Sequence, residues 1–289
     1  MDSVAERRRS ILFLILAATL WSTGGLMIKA ISWQPISILA GRSIFSTIIF
    51  FIYLRRFPTH WTRWKILASV SHILTAFLFI TATKLTTAAN AIFLQYTAPV
   101  YIVLLGIWFL RERPTRNDWG SMAIIFAGML LFFGDKLSLN GMYGNLLAVL
   151  SGVTMAVMTV ALRAQKDGSP AESILLAHLF TAIVGFPYVL KEAWTINNWL
   201  IILYLGVFQI GLAFLFFTSA IKHVPAIEAT LISTLEPVLN PIWVFLFLGE
   251  EPGRFAFIGG LIVLAGVTLN AIGSARAARA APIPPIPVS

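Results

Sequence analysis

One carboxylate sits within an apolar run: Glu236 in "STLEPVLNPIWVFLFLGEE" (233–251), followed at once by Pro237 and then by Pro241. An acid there has two uses. It can hold a solute's ammonium group or exchange a coupling proton, or it can accept bonds from backbone N–H groups freed near Pro237. Arg42, His72 and His178 are the other ionisable residues inside apolar stretches. Arginine keeps its charge, so Arg42 either pairs with Glu236 or holds the carboxylate of a bound solute. Each histidine either binds or is a neutral ring satisfied by a neighbouring carbonyl. Trp21, Gln95, Tyr96, Tyr101, Gln209 and Asn240 complete the candidate substrate-binding set, with Pro99, Pro237 and Pro241 as helix breaks that could gate it. Gln95, Tyr96, Tyr101 and Asn240 bracket the breaks, where aromatic rings with polar edges can stack on a solute and hydrogen-bond its ends. Met155 and Met158 share a helix face and read more simply as packing.

Bond-making chemistry lacks its parts. There is no cysteine, and His60, His72, His178 and His223 fall on separate segments. Neither an H-E-x-x-H pattern nor the clustered aspartates of metal-dependent prenyl transfer occurs, so no metal, no cofactor and no enzyme activity is expected. Channels need rings of charge or carbonyl filters, and nothing in the chain supplies them.

The elements that must position these residues are set by composition. The 289 residues are 58% hydrophobic and 11% charged, far more apolar than a soluble domain. Apolar segments fall at about 11–31, 36–56, 64–83, 88–110, 118–134, 142–162, 172–190, 199–219, 226–248 and 254–273. Each approaches the roughly 20 residues that a helix needs to cross a bilayer. The expectation is an all-α membrane protein of ten transmembrane helices with short connections. An acid at membrane depth costs about 2.5–3.5 kcal/mol on insertion scales, so Glu236 should face a cavity or a partner. The first segment follows Arg7-Arg8-Arg9 like a signal peptide, but its length and the nine spans after it make it an uncleaved helix.

The net charge of +9 is not a nucleic-acid patch, because it is distributed by loop. With a cytoplasmic N-terminus, the cytoplasmic side collects Arg7, Arg8, Arg9, Arg55, Arg56, Arg63, Lys65, Arg111, Arg113, Arg116, Arg163, Lys166, Lys222, Arg276 and Arg279. The other side has Lys29, Lys84, Lys136, Lys191 and Arg254. Under the positive-inside rule both termini are then cytoplasmic in a bacterial inner membrane. Trp33, Trp61, Trp64, Trp108, Trp119, Trp194 and Trp199, near segment ends, are read as an interfacial belt.

The chain also repeats. A shift of 138 residues pairs Lys84 with Lys222, Pro99 with Pro237, Glu112 with Glu250, Pro114 with Pro252 and Gly128 with Gly266, with 14 of 48 positions identical from Lys84 to Leu131. Nearby shifts lay "AFLFIT" (76–81) over "AFLFFT" (213–218), His72 over Gln209, and Arg42 over His178. Five spans per copy is odd, so the second copy enters the membrane from the opposite side. Inverted repeats around a midplane site are an architecture of secondary transporters working by alternating access. The divisions expected are a cytoplasmic N-terminus (1–10), two five-helix repeats (11–134 and 142–273) around a central cavity, and a disordered proline-rich tail (274–289).

The stretches "TAPVYIVLLGIWFLRERPT" (97–115) and "LEPVLNPIWVFLFLGEEPG" (235–253) each carry a mid-helix Pro, an acid thirteen residues later and a Pro two beyond that. In these the chain resembles the drug/metabolite transporter superfamily, in its ten-helix EamA-type branch. The resemblance implies two inverted halves around a cavity with helices 5 and 10 outside it. It carries over the mid-membrane prolines at Pro99 and Pro237 and the preceding acid at Glu236, whereas Ala98 stands in the first copy. Members export amino acids and other small metabolites, or carry drugs, nucleotide sugars or sugar phosphates. Export of amino acids or related metabolites is the leading expectation. Phosphorylated solutes should want two or more cavity cations, and only Arg42 lies well inside a span. Protons are an open candidate for coupling, and a monomer and a homodimer are both compatible with the glycines of the closing spans.

Overall fold

The computed structural model describes residues 2–58, 60–86, 88–133, 141–239, 243 and 254–280. Among these the chain is helical and contains no strand. The helices are α1 (Asp2–Trp21), α2 (Gly24–Ala30), α3 (Pro35–Leu54), α4 (Arg63–Leu85), α5 (Ala88–Gln95), α6 (Ala98–Leu105), α7 (Arg116–Phe133), α8 (Met142–Arg163), α9 (Pro170–Val189), α10 (Ile196–Tyr204), α11 (Ala213–Ala220), α12 (Ala226–Ser233) and α13 (Arg254–Ala280). Residues 235–239 are also helical. Wider π-type turns continue α6 over Gly106–Leu110 and join α10 to α11 over Leu205–Leu212. Seven helical stretches among the described residues are long and apolar enough to cross a bilayer, and Phe257–Gly273 adds a shorter apolar one. Large apolar side chains such as Ile52, Ile183 and Trp108 face outward from the bundle, as lipid contact requires.

Local chemistry sets the helix ends. Pro35 and Pro170 occupy first turns, where a missing N–H costs nothing. The Thr62 and Thr195 hydroxyls accept from the Lys65 and Asn198 N–H groups as N-caps. The first apolar segment, expected to be continuous, is broken at Ser22 and Thr23. Their hydroxyls donate back to the Thr19 and Leu20 carbonyls, and Gly24 and Gly25 follow, a combination that weakens the helical ladder. At the other end α13 runs to Ala280. Residues 274–280, expected in the tail, are therefore helical, in keeping with their alanine and arginine content; residues 281–289 lie outside the described set.

Near Pro99 and Pro237 the helices do break, slightly upstream of each ring. α5 ends at Gln95 and α6 starts at Ala98, with Thr97 donating to the Leu94 carbonyl at 2.7 Å. α12 ends at Ser233, and Thr234 donates to the Leu231 carbonyl at 2.6 Å before helix resumes at 235. The reason is the missing proline N–H, which leaves the carbonyl four residues earlier without its helical partner. For Pro237 that carbonyl is Ser233's, and the Tyr96 hydroxyl lies 2.8 Å from it. For Pro99 it is Gln95's, which faces Gly152 of α8 so closely that a β-carbon there would come within 2.7 Å of it.

Packing is strongest between α4 and α8, α7 and α13, α3 and α9, and α1 and α11. Gly128 brings α7 against the backbone of α13 at Gly259 and Val263, the close approach that small residues permit in membranes. Charges collect in ion pairs at one end of the bundle. Glu172 takes Lys65 and Arg56, Glu228 takes Arg7, and Arg163 bonds Glu112 and the Ile221 and Lys222 carbonyls. Trp61, Trp108, Trp119 and Trp194 are exposed, but Trp33 is only 2% exposed, its ring 5.4 Å from that of Trp199. Trp33 therefore leaves the expected belt, because α3 and α10 close over it.

Candidate functional site

The breaks and the α3, α4, α8 and α11 walls line a cavity in the core. It is lined by Trp21, Arg42, His72, Gln95, Gln209 and Glu236 among polar side chains, with Thr75, Phe79, Met155, Met158, Phe214 and Phe217 around them. Six of the ten expected site residues thus converge, from α1, α3, α4, α5, the Leu205–Leu212 stretch and the 235–239 helix. The space is narrow, about 80 Å³, room for a few water molecules.

Arg42 is the notable member. It is 3% exposed, and no carboxylate lies within 4.0 Å of it among the described residues. The alternative in which it pairs with Glu236 is therefore not realised. Glu236 instead accepts from the Tyr96 hydroxyl at 2.6 Å. Tyr96 is fully buried and has one proton for two acceptors, Glu236 and the Ser233 carbonyl, so it ties the two broken helices together. No backbone N–H donates to Glu236 among the described residues; the group that serves the orphaned carbonyl is Tyr96.

The other polar walls are incompletely partnered. Four cavity residues carry a buried polar atom with no hydrogen-bond partner among the described residues: Trp21 Nε1, Arg42 Nε, His72 Nε2 and Gln209 Oε1. Burying such atoms unpaired costs about 1–3 kcal/mol each, which is tolerable where a ligand or water completes them. Trp21 and Arg42 offer donors and Gln209 an acceptor. His72 Nδ1 lies 3.3 Å from the Met158 sulfur, a weak acceptor, which assigns the ring proton to Nδ1 and leaves Nε2 as an acceptor. The Gln95 amide donates to Ser151.

The remaining candidates stand apart. His178 does not line the cavity; it stacks edge-on against His72 at 4.9 Å and meets Ser43 at 3.1 Å. Tyr101 packs on the apolar core instead of the cavity. Asn240 and Pro241 lie outside the described residues. Met155 and Met158, read as packing, line the cavity, as do aromatic residues of the repeated "AFLFxT" motif. That motif was the available signal for Phe79, Phe214 and Phe217; periodicity alone could not say which helix face turned inward.

Known proteins resemble the chain along most of its length. It is 24% identical over 89% of its residues to an uncharacterized transporter of Archaeoglobus fulgidus, 94% of which is covered. It is 25% identical to the uncharacterized transporter YwfM of Bacillus subtilis, over 89% of this chain and 91% of that one. The pseudopaline exporter CntI of Pseudomonas aeruginosa is 27% identical over 63% of this chain and 66% of its own. A crystal structure superposes with a TM-score of 0.79 at 22% identity, covering 92% of this chain and 98% of that one, and so shares the fold. The model of the EamA-like transporter family matches residues 8–134 and again 142–272. A helical membrane bundle matched twice over by the model of a transporter family is a transporter, and the chain belongs to the EamA-like transporter family.

Proposed function

We propose that this transporter moves a small zwitterionic solute, an amino acid or a metabolite built from one, outward across a bacterial inner membrane. The observation that carries this reading is Arg42, a buried cation with no ionic partner among the described residues, which shares its cavity with the carboxylate Glu236. A solute carboxylate at Arg42 and an ammonium near Glu236 would neutralise both. Solvation otherwise offsets a buried charge poorly. The unpartnered Trp21, Gln209 and His72 atoms would complete the solute's remaining bonds. Aromatic and thioether walls suit an apolar side group. One Arg or Lys among the described lining residues, where a phosphate would draw two or more, speaks against phosphorylated sugars. Similarity to a pseudopaline exporter supports the direction.

The transport cycle on this reading is alternating access between two inverted five-helix halves. Its support is the 138-residue repeat, the doubly matched family model and the paired helix breaks near Pro99 and Pro237. The ion-paired end, rich in arginine, is the cytoplasmic side, with both termini there. The cavity as it stands must widen to admit a solute, which the breaks allow.

The test is uptake by proteoliposomes containing the purified protein, offered labelled amino acids with and without a pH gradient, beside protein-free liposomes. Accumulation of one class supports the reading, and its response to the gradient reports proton coupling. No flux above the controls from folded protein would overturn it.

A further inference from the structure

A second polar pocket, of about 260 Å³, opens at the end of the bundle where α1, the end of α3 and the turn after α11 meet. Arg9 and Lys222 supply its cationic groups, and Glu6 is its one acid, 3.7 Å from the ring nitrogen of His223, which also lines it. No carboxylate lies within 4.0 Å of Arg9 or Lys222 among the described residues. The Arg9 guanidinium instead sits over the Phe13 ring at 5.0 Å, which holds its position without neutralising it.

The depth of this pocket matters. Phe13 is the third residue of the apolar run that begins at 11, Tyr53 is next to last in α3, and Lys222 follows the end of α11 by two. All three mark the level where apolar spans give way to polar ends, and an exposed tyrosine there is typical of the bilayer interface. Below Arg9 on α1, Leu12 and Leu16 are exposed; Leu16 lies two turns further in on the same face. On α3, Ile48 and Ile52 are exposed one turn apart, on a face roughly a quarter turn or more round the helix from Tyr53. The α1 track thus leads from the pocket into the membrane, and the lipid-facing pair on α3 lies beside it.

We infer that this pocket binds the headgroup of an anionic glycerophospholipid, with its phosphate between Arg9 and Lys222 and its acyl chains along the Leu12–Leu16 and Ile48–Ile52 faces. Basic pockets between transmembrane helices recognise such headgroups. The apolar faces select a lipid over free phosphate, and Glu6 can accept from headgroup hydroxyls. This site is separate from the central cavity and does not depend on the solute proposed for it.

The test titrates the full-length protein in detergent with phosphatidylglycerol, phosphatidylcholine and glycerol phosphate, reading bound lipid by native mass spectrometry. Phosphatidylglycerol is expected to bind roughly thirtyfold more tightly than phosphatidylcholine, from two basic contributions at a membrane surface. Lys222→Gln, a change at a half-buried position in a turn, should cut the preference to roughly fivefold. Arg9→Gln with Lys222→Gln should abolish it, and Arg9→Lys with Lys222→Arg should keep it. Equal binding of the two lipids, or a preference unchanged by Lys222→Gln, would overturn the site. Glycerol phosphate competing as well as the whole lipid would show a soluble-phosphate site instead.

Discussion

On the proposed reading Arg42 holds the solute, and its burial gives that reading a direct test. Among the described residues it has no ionic partner and keeps an unbonded Nε, so removing its charge should relieve the fold while harming binding. Arg42→Gln is expected to leave the thermal midpoint unchanged or raised, and to weaken solute affinity on the order of 10–100-fold, the scale of a lost charged hydrogen bond. Thermal shift and equilibrium binding on one preparation check this; a lower midpoint with intact affinity would make Arg42 structural. Glu236 differs, since Tyr96 already engages it. Glutamine can still accept from Tyr96, so Glu236→Gln should leave folded protein while removing any pH dependence of transport. Proteoliposome flux across a pH series reads that outcome.

At the scale of elements, the two breaks are the feature that distinguishes this bundle from a set of straight rods. Each follows from a proline N–H that does not exist; the carbonyl freed at Ser233 is met by the Tyr96 hydroxyl, and the one freed at Gln95 packs against Gly152. Pro99→Ala or Pro237→Ala restores the missing donor and favours a continuous helix. Turnover is then expected to fall more than affinity, which paired measurements of flux and binding would show. Gly152→Ala pushes a methyl to within 2.7 Å of the Gln95 carbonyl. It should destabilise the protein by about 1–3 kcal/mol, as overpacking does, read as a lower unfolding midpoint.

For the whole molecule, the expected arrangement is two inverted halves with cations gathered at the cytoplasmic end. Because the chain has no cysteine, single substitutions report side directly. Lys166→Cys, at the ion-paired end, should react with an impermeant maleimide only after cells are opened. Trp194→Cys, an exposed position on the opposite side, should react in intact cells. Labelling in the reverse sense would invert the assigned topology.

Much of this was legible in the residues. Span positions follow from the length of apolar runs, which bilayer thickness dictates, and the breaks follow from proline chemistry at Pro99 and Pro237. The convergence of Trp21, Arg42, His72, Gln95, Gln209 and Glu236 was only a set of candidates, because sequence gives the depth of a residue along a helix more readily than the direction it faces. Helix rotation is decided by packing. So it took the tertiary structure to turn Met155 and Met158 into the cavity, to bury Trp33 against Trp199, and to leave His178 behind His72. The break at Ser22 and Thr23 was likewise missed, since no proline announces it. What the sequence by itself determined was an apolar, duplicated, helical chain with charges where a membrane ends. What only the tertiary structure decided was that Arg42 and Glu236 share a cavity without pairing, because side-chain distances across helices are set by how the helices rotate against one another.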